Sequence, residues 1–481
     1  MTHGAGPVHR DCDCDAGTGL TRSRTRVVLA IAAAVASQVW IAWVFADADG
    51  SRRAEWPVAL ALCGLLAIPA ALLLLAVHGL RARAAGLPLI VLVLVAGVLM
   101  RMPYFGTGPM LEDDHFRYRL DGAMVAHGHS PYTHAPADLR SGAREAPWTR
   151  IEPGRTLIES INFPELRSIY PGFAQAVFAL AHGIDPWGID GLRAVIFASE
   201  ALTAALLLLT AIRLGRPPLL VALYWCNPLM AFTLTGQAHV DAVLAPLLLG
   251  ALLAASRSRG ALAGLCLGLG VGVKLWPVLL APLVLRALWP ARRAALAFAL
   301  AFAMVCAAVC LPLLLASLSP GAGLVAYAGG WSINNAPFAW AVSGFDLALG
   351  DGTGERLVRA LLALGIVTIA LAFAARPVAH LENLLTRAAL VAAAVFYLAP
   401  AQFPWYAAGF LPLAAAAGLP ALVAGTAALP VYFLFFPLAE AGLRDVHSHG
   451  LAFLHLVPVL AVTLLCRVPA TLRSPAQRLP T

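Results

Sequence analysis

The sequence predicts an all-α polytopic membrane protein, a helical bundle that crosses the bilayer about 12–14 times. Three observations predict it. Of the 481 residues 60% are apolar and 12% charged, with a mean hydropathy of +0.80, against roughly 45–50% and 25% in soluble domains. Aliphatic runs of about 15–25 residues recur, long enough to span the hydrocarbon core of a bilayer. Arginines sit in short clusters between those runs, the arrangement that sets membrane orientation. The net charge of +8 is therefore no sign of nucleic-acid binding, and no nucleic-acid partner is expected.

Residues 1–26 are polar and Gly-rich and end in Arg22, Arg24 and Arg26, so they read as a disordered N-terminus on the cytoplasmic side. Their C-x-C pair, Cys12 and Cys14, makes an incomplete metal site. The other six cysteines fall in apolar runs, as small apolar fillers, with no disulfide framework. The run 27–45 is followed by small residues at Ala46 and Ala48, but it exceeds the h-region of a signal peptide and reads as an uncleaved span. Residues 27–85 then form an N-terminal transmembrane hairpin, with spans at 27–45 and 57–77 and "HGLRARAAG" (78–86) on the inner side. A core over 86–420 opens with the span 86–101, which delivers residues 102–170 to the outer face. A loop of that length is where function is sought.

Arginine clusters at 213–218, 256–260, 286–293, 376–387 and after Arg467 mark the inner side of the later spans. To satisfy them, 190–212 runs inward, and 218–235 and 240–256 form a hairpin with "GQAHVDA" at its outer tip. Segment 169–183 then dips into the outer surface without crossing. The arms 261–273 and 275–288 are each only about 20 Å long, so Lys274 and Pro277 at their turn lie at membrane depth. A buried ammonium there costs about 2.5–3.5 kcal/mol and calls for an anionic partner. After an aromatic, amide-rich outer loop (318–352), spans follow near 356–375, 384–400, 404–419, 420–437 and 450–466. Residues 421–466 are read as C-terminal transmembrane helices and 467–481 as a cytoplasmic tail, which puts both termini in the cytoplasm and the protein in the cell's inner membrane.

The unusual polar residues collect on the outer side. Glu112, Asp113 and Asp114 open a segment with helical spacing that Gly128 ends; Asp114, Arg117, Tyr118 and Asp121 share one of its faces. "INFPELRSIYP" (161–171) returns to the membrane with Asn162 and Tyr170. His239 and Asp241 sit at another outer tip, above Lys274. Each item alone has a plainer explanation. Acids in a loop are usually solvated, Lys274 can snorkel, and Trp331, Trp340, Trp405 and Tyr406 can anchor at the interface. His115, His127, His129 and His134 match no metal-ligand spacing, and no metal ligands are assigned. Their joint placement on one side outweighs the separate explanations.

The stretches "LEDDHFRYRLDGAMVAHGHSPYTHAPADL", "INFPELRSIYPGFAQAVFALA", "NPLMAFTLTGQAHVDAVLAPLLL", "GLCLGLGVGVKLWPVLLAPL" and "PAQFPWYAAGFLPL" resemble, in that order over 86–420, the serial motifs of GT-C-type membrane glycosyltransferases. Within these the resemblance is to bacterial polyprenol-phosphate-mannose-dependent mannosyltransferases. It implies a GT-C-like bundle and transfer of a hexose, mannose in that group, from a polyprenyl-phosphate donor to a glycan or glycolipid acceptor of the cell envelope. A carboxylate would accept the proton of the acceptor hydroxyl, fixed positive charge would meet the leaving lipid phosphate, and a single displacement would invert the anomeric centre.

On that reading Asp113 is the base, with Asp114 as alternative base or acceptor-orienting partner. Lys274 and Arg117 serve the donor phosphate. Tyr118, Asp121, Tyr132, Asn162, Tyr170, His239, Asp241, Trp331 and Trp405 line the sugar or acceptor pocket. No cofactor is assigned, and the resemblance leaves a divalent cation open, since GT-C enzymes occur with and without one. The competing class is a lipid-linked sugar flippase or secondary transporter, which would line a path to both faces with charge.

Overall fold

The computed structural model describes residues 13–45, 50–78, 86–108, 111–140, 154–319, 321–350 and 352–466. The described residues are helical throughout, with one isolated parallel bridge, Ile333 to Ala401, as their only strand-like pairing. Nine helices among them are long and apolar enough to cross a bilayer, or ten if the bent pair Pro218–Trp225 and Pro228–Gly236 counts as one span. This is a multi-pass membrane protein.

The sequence expects more crossings because it also counts the short arms at 240–256, 261–273, 275–288 and 404–419. The helices Val240–Ala255, Gly260–Val273 and Trp276–Leu288 are shorter than the nine, and so is Gly172–Ile184, which the sequence expects to dip into the surface without crossing. At 1.5 Å per residue a 13-residue helix such as Gly172–Ile184 covers about 20 Å of a roughly 30 Å core. The expected span 404–419 is a 3₁₀ segment, Pro404–Gly409, followed by the seven-residue helix Leu411–Ala417. The broken piece 404–417 is buried in the bundle at all but one position, where irregular backbone can be satisfied by protein rather than left facing lipid.

The first helix starts at Asp13, so helix covers residues 13–26 that the sequence reading leaves disordered. Residues 1–12 with Cys12, Ala46 and Ala48, most of the loop 78–86 and the tail 467–481 lie outside the described residues. The helix Trp56–His78 packs along the first helix and against the segment 420–434, so the N-terminal hairpin and the C-terminal helices are in contact.

Two local features fix the machinery that follows. At Asn227–Pro228 the chain bends by 43°. Pro228 cannot continue the ladder of backbone bonds. Asn227 replaces what is lost, its side-chain oxygen accepting from Leu229 N at 3.0 Å and Met230 N at 3.4 Å. The segment then unwinds through a π-turn, Ala231–Gly236, into the buried tip that holds Gln237 and His239.

The second feature is a glycine stripe. Gly260, Gly264, Gly268 and Gly272 recur every four residues on one helix, and that face meets the helix Arg292–Ala316. A Cβ at Gly264 would stand 2.6 Å from the Phe298 carbonyl oxygen and one at Gly268 2.8 Å from a Val305 methyl. Small residues let helix backbones approach closely where no hydrophobic effect drives them together. Lys274 caps the end of this helix, so the stripe sets where its ammonium lies.

A fully buried pair braces the other wall: Arg101 Nη2 meets Glu200 Oε1 at 2.5 Å, Glu200 Oε2 accepts from Thr235 Oγ1 at 2.5 Å, and the guanidinium lies 4.1 Å from the Trp225 ring. Arg193 donates to the carbonyls of Thr107, Thr235 and Gly236. It thereby ties the loop leading to the acids to the bent segment.

Candidate active site

The helix announced by the acidic stretch runs Asp114–Ala126, and Gly128 follows with a φ of +78°, the left-handed geometry that glycine tolerates at a helix end. Gly122 lets it lie against the helix Gly172–Ile184, where a Cβ would stand 2.3 Å from the Phe178 carbonyl oxygen. The backbone just before the helix is pinned from the bent segment. Gln237 Oε1 accepts from Leu111 N at 3.1 Å and Glu112 N at 3.2 Å.

The three acids then point different ways. Glu112 accepts from the Tyr432 hydroxyl at 3.3 Å; burial, and then the charges of Asp113 and Asp114, hold its carboxyl well above the usual carboxylate range. Asp113 turns to the loop side, where Asn162 Nδ2 donates to it at 2.9 Å and Arg53 lies 3.8 Å away. Asp114 faces inward and keeps 35% of its side chain open.

That opening is a cavity of about 410 Å³. Its polar lining comprises Asp114, Tyr118, Tyr170, Asp241, Lys274, Tyr327, Tyr406 and Arg359, with Trp276, Trp331 and Trp405 among its aromatic groups. Leu324, Ala328, Leu362, Ala363, Ile366, Val395 and Leu398 make the rest of the wall apolar. Lys274 Nζ lies 2.6 Å from Asp241 Oδ1 and 3.5 Å from the centre of the Tyr406 ring. The anionic partner demanded by a cation at that depth is therefore Asp241. Lys274 is also the only lysine in the 481-residue chain.

Electrostatics set Asp114 apart. Burial and the neighbouring Asp113 push its carboxyl up to about 7, opposed by Lys274 and by the Tyr118 hydroxyl, which donates to Oδ2 at 3.3 Å. A carboxylate with a pKa near neutral is suited to accept a proton at physiological pH. The Tyr170 hydroxyl sits 3.4 Å from that of Tyr118, and the Tyr327 and Tyr406 hydroxyls are 2.6 Å apart.

Of the residues singled out in the sequence, Asp114, Tyr118, Tyr170, Asp241, Lys274, Trp331 and Trp405 share this cavity. The others stand around it. Asn162 holds Asp113. Arg117 donates to the Leu166 carbonyl at 2.7 Å and so ties down the returning loop. Asp121 is fully buried behind the helix, accepting from Ser168 at 2.5 Å and Gln175 at 3.0 Å. Tyr132 donates to the Tyr170 carbonyl at 2.7 Å. His239 lies behind the wall, flat against Trp405 with ring centres 3.7 Å apart.

Arg359, Tyr327 and Gln237 went unnoticed in the sequence. The guanidinium of Arg359 pairs with Glu355 at 2.6 Å and donates to the Trp331 carbonyl at 3.2 Å, holding Trp331 over the cavity. Among the described residues no three of His, Cys, Asp and Glu converge as a metal-binding group.

The model of glycosyltransferase family 87 matches residues 169–401. The matched segment carries Tyr170, Asp241, Lys274, Trp331 and Arg359 of the cavity; the acids at 112–114 and Trp405 lie outside it. No protein of curated function and no solved structure matches the chain. The family match indicates a glycosyltransferase, which works on a sugar donor and an acceptor and, in this chain, does so within a membrane protein.

Proposed function

We propose that the chain transfers a hexosyl group, mannosyl by the resemblance of its motifs, from a polyprenyl-phosphate donor to a glycan or glycolipid acceptor on the outer face of the cell membrane. One observation carries the reading: a carboxylate of raised pKa and the chain's only lysine share a cavity whose remaining walls are mostly apolar. Each part answers a need of that substrate pair. A sugar hydroxyl has to lose its proton as it attacks, and Asp114 is placed to take it. A leaving lipid phosphate gathers negative charge, and Lys274 is placed to meet it. The prenyl chain needs an apolar bed.

Asp114 replaces Asp113 as the favoured base, because Asp113 is spent on Asn162 and faces away from the cavity. Displacement assisted by one base is a single step, and inverts the configuration at the anomeric carbon. Asp241 keeps Lys274 in place until phosphate arrives, and Trp331 offers a flat face to the sugar, whereas Trp405, stacked between His239 and Phe403, shapes the wall behind it.

The test is incubation of the purified protein with a panel of polyprenyl-phosphate sugars and envelope glycan acceptors, reading release of the free lipid phosphate and the anomeric configuration of the product. Acceptor-dependent release supports the reading. Movement of intact donor across a liposome membrane without release would replace it with transport.

A further inference from the structure

His239 makes no hydrogen bond through either ring nitrogen and is completely buried. An unsatisfied polar group in such a place is costly, so its location calls for a reason. Its Nδ1 faces Asp114 Oδ2 at 3.7 Å, the same oxygen to which the Tyr118 hydroxyl donates. The stack on Trp405 fixes the ring plane. Gln237, two residues earlier, grips the backbone at Leu111 and Glu112. One buried turn therefore positions both the chain that carries Asp114 and the ring behind it.

We infer that His239 is a positioning residue for Asp114: together with Tyr118 it holds Oδ2 from behind and leaves Oδ1 to the acceptor hydroxyl. The inference rests on the reading of Asp114 as the base. A separation of 3.7 Å is longer than a hydrogen bond, and such contacts tighten when substrate closes a site. In the transfer step the acceptor O–H bond breaks and its proton passes to Oδ1. The acceptor oxygen bonds to the anomeric carbon, and the bond from that carbon to phosphate oxygen breaks, its electron pair leaving on the lipid phosphate. His239 stays neutral throughout, with Nδ1–H directed at Oδ2. The other ionisable groups acting on this pair are Asp113, Asp241, Lys274 and His115.

The experiment is a pH–rate profile of wild type, His239→Phe, His239→Gln and Tyr118→Phe with a polyprenyl-phosphate sugar. Phe keeps a flat ring against Trp405 and removes only the nitrogens. His239→Phe is expected to lower kcat by roughly 10- to 100-fold, less than the 10²–10⁴ that a general base supplies in full. The donor KM should be unchanged and the acid limb should move to higher pH, because the carboxylate has lost a donor that favours its charged form. Gln, which can still donate, should recover part of the rate. A kcat and acid limb identical to wild type in His239→Phe would reduce His239 to packing and overturn the inference. Should that variant fail to insert, Tyr118→Phe decides: an unmoved limb means that Oδ2 is not the anchored oxygen. Wild type inactive with every lipid-phosphate donor would instead remove the reading of the reaction itself.

Discussion

Lys274 and Asp241 form a 2.6 Å ion pair on which the ammonium also faces the Tyr406 ring at 3.5 Å. Arginine supplies every other strongly basic side chain of this protein, so a lysine here answers a particular need. A compact charge fits between a carboxylate and a ring face and can turn toward a phosphate, whereas a guanidinium is planar, broad and held by its fork. Lys274→Arg is therefore expected to behave almost as badly as Lys274→Met in donor-dependent release. Lys274→Met also removes one partner of a mostly buried pair, which typically costs about 3–5 kcal/mol. Thermal unfolding in detergent should register that loss, and Asp241→Asn combined with Lys274→Met should recover part of it without restoring transfer. Lys274→Arg with wild-type donor use would remove the ammonium from the site.

Asp113 and Asp114 are sequence neighbours that face different surroundings. Asp114→Asn is expected to insert normally and lose roughly 10²–10⁴-fold in kcat. Asp113→Asn should lose far less, because it keeps an oxygen to accept from Asn162. Single-turnover release of lipid phosphate from the two variants checks this. The reverse ranking would return the base to Asp113.

Much of this site was legible in the residues, because polar side chains are expensive in a bilayer and so advertise themselves. The acids at 112–114, the His239–Asp241 tip and Lys274 at the turn of two short arms each stood out against an apolar background. Their convergence on one end of the bundle follows from counting arginine clusters. The division of labour among them was not legible. Whether Asp113 or Asp114 faces the cavity depends on a backbone held by Gln237, more than 120 residues away. The roles of Asp121 and Tyr132 depend on which side of a helix meets Ser168, Gln175 and Tyr170. Arg359 looked like one more arginine in a span, and its hold on Trp331 exists only once two distant helices have packed. Hydropathy alone counts the short broken helices as crossings for a related reason: it cannot tell lipid from protein as the surrounding apolar medium.

The raised pKa of Asp114 gives the reaction a pH signature. The base has to be ionised to accept a proton, so kcat/KM for the free enzyme should fall as pH drops through about 7 and level off above it. Lys274 favours the charged form of Asp114, and its removal should move that limb upward, in whatever residual activity Lys274→Met retains. Asp114→Glu, if active, should shift the limb without abolishing it. A limb that lies near pH 4 in wild type would mean that Asp114 is better solvated than its surroundings imply, or that another group is the base.

The glycine stripe carries the last prediction. Gly264 lies in the second turn of the helix that ends at Lys274, and its missing side chain lets that helix approach to where a Cβ would stand 2.6 Å from the Phe298 carbonyl oxygen and 2.9 Å from Phe302 N. The obstacles are backbone atoms, which cannot swing aside as a side-chain tip can. Gly264→Val has to push the helices apart, and the shift is passed along a rigid rod to Lys274, nearly three turns further on. Overpacking of this kind typically costs 1–3 kcal/mol, so the variant should unfold at lower temperature, and any folded fraction should show a raised donor KM. Gly365, on the helix Thr353–Ala375, supplies the control: a Cβ there meets nothing within 4 Å, and Gly365→Val should leave both unfolding and donor KM near wild type. Equal behaviour of the two variants would mean that the close approach of these helices does not govern where the ammonium lies.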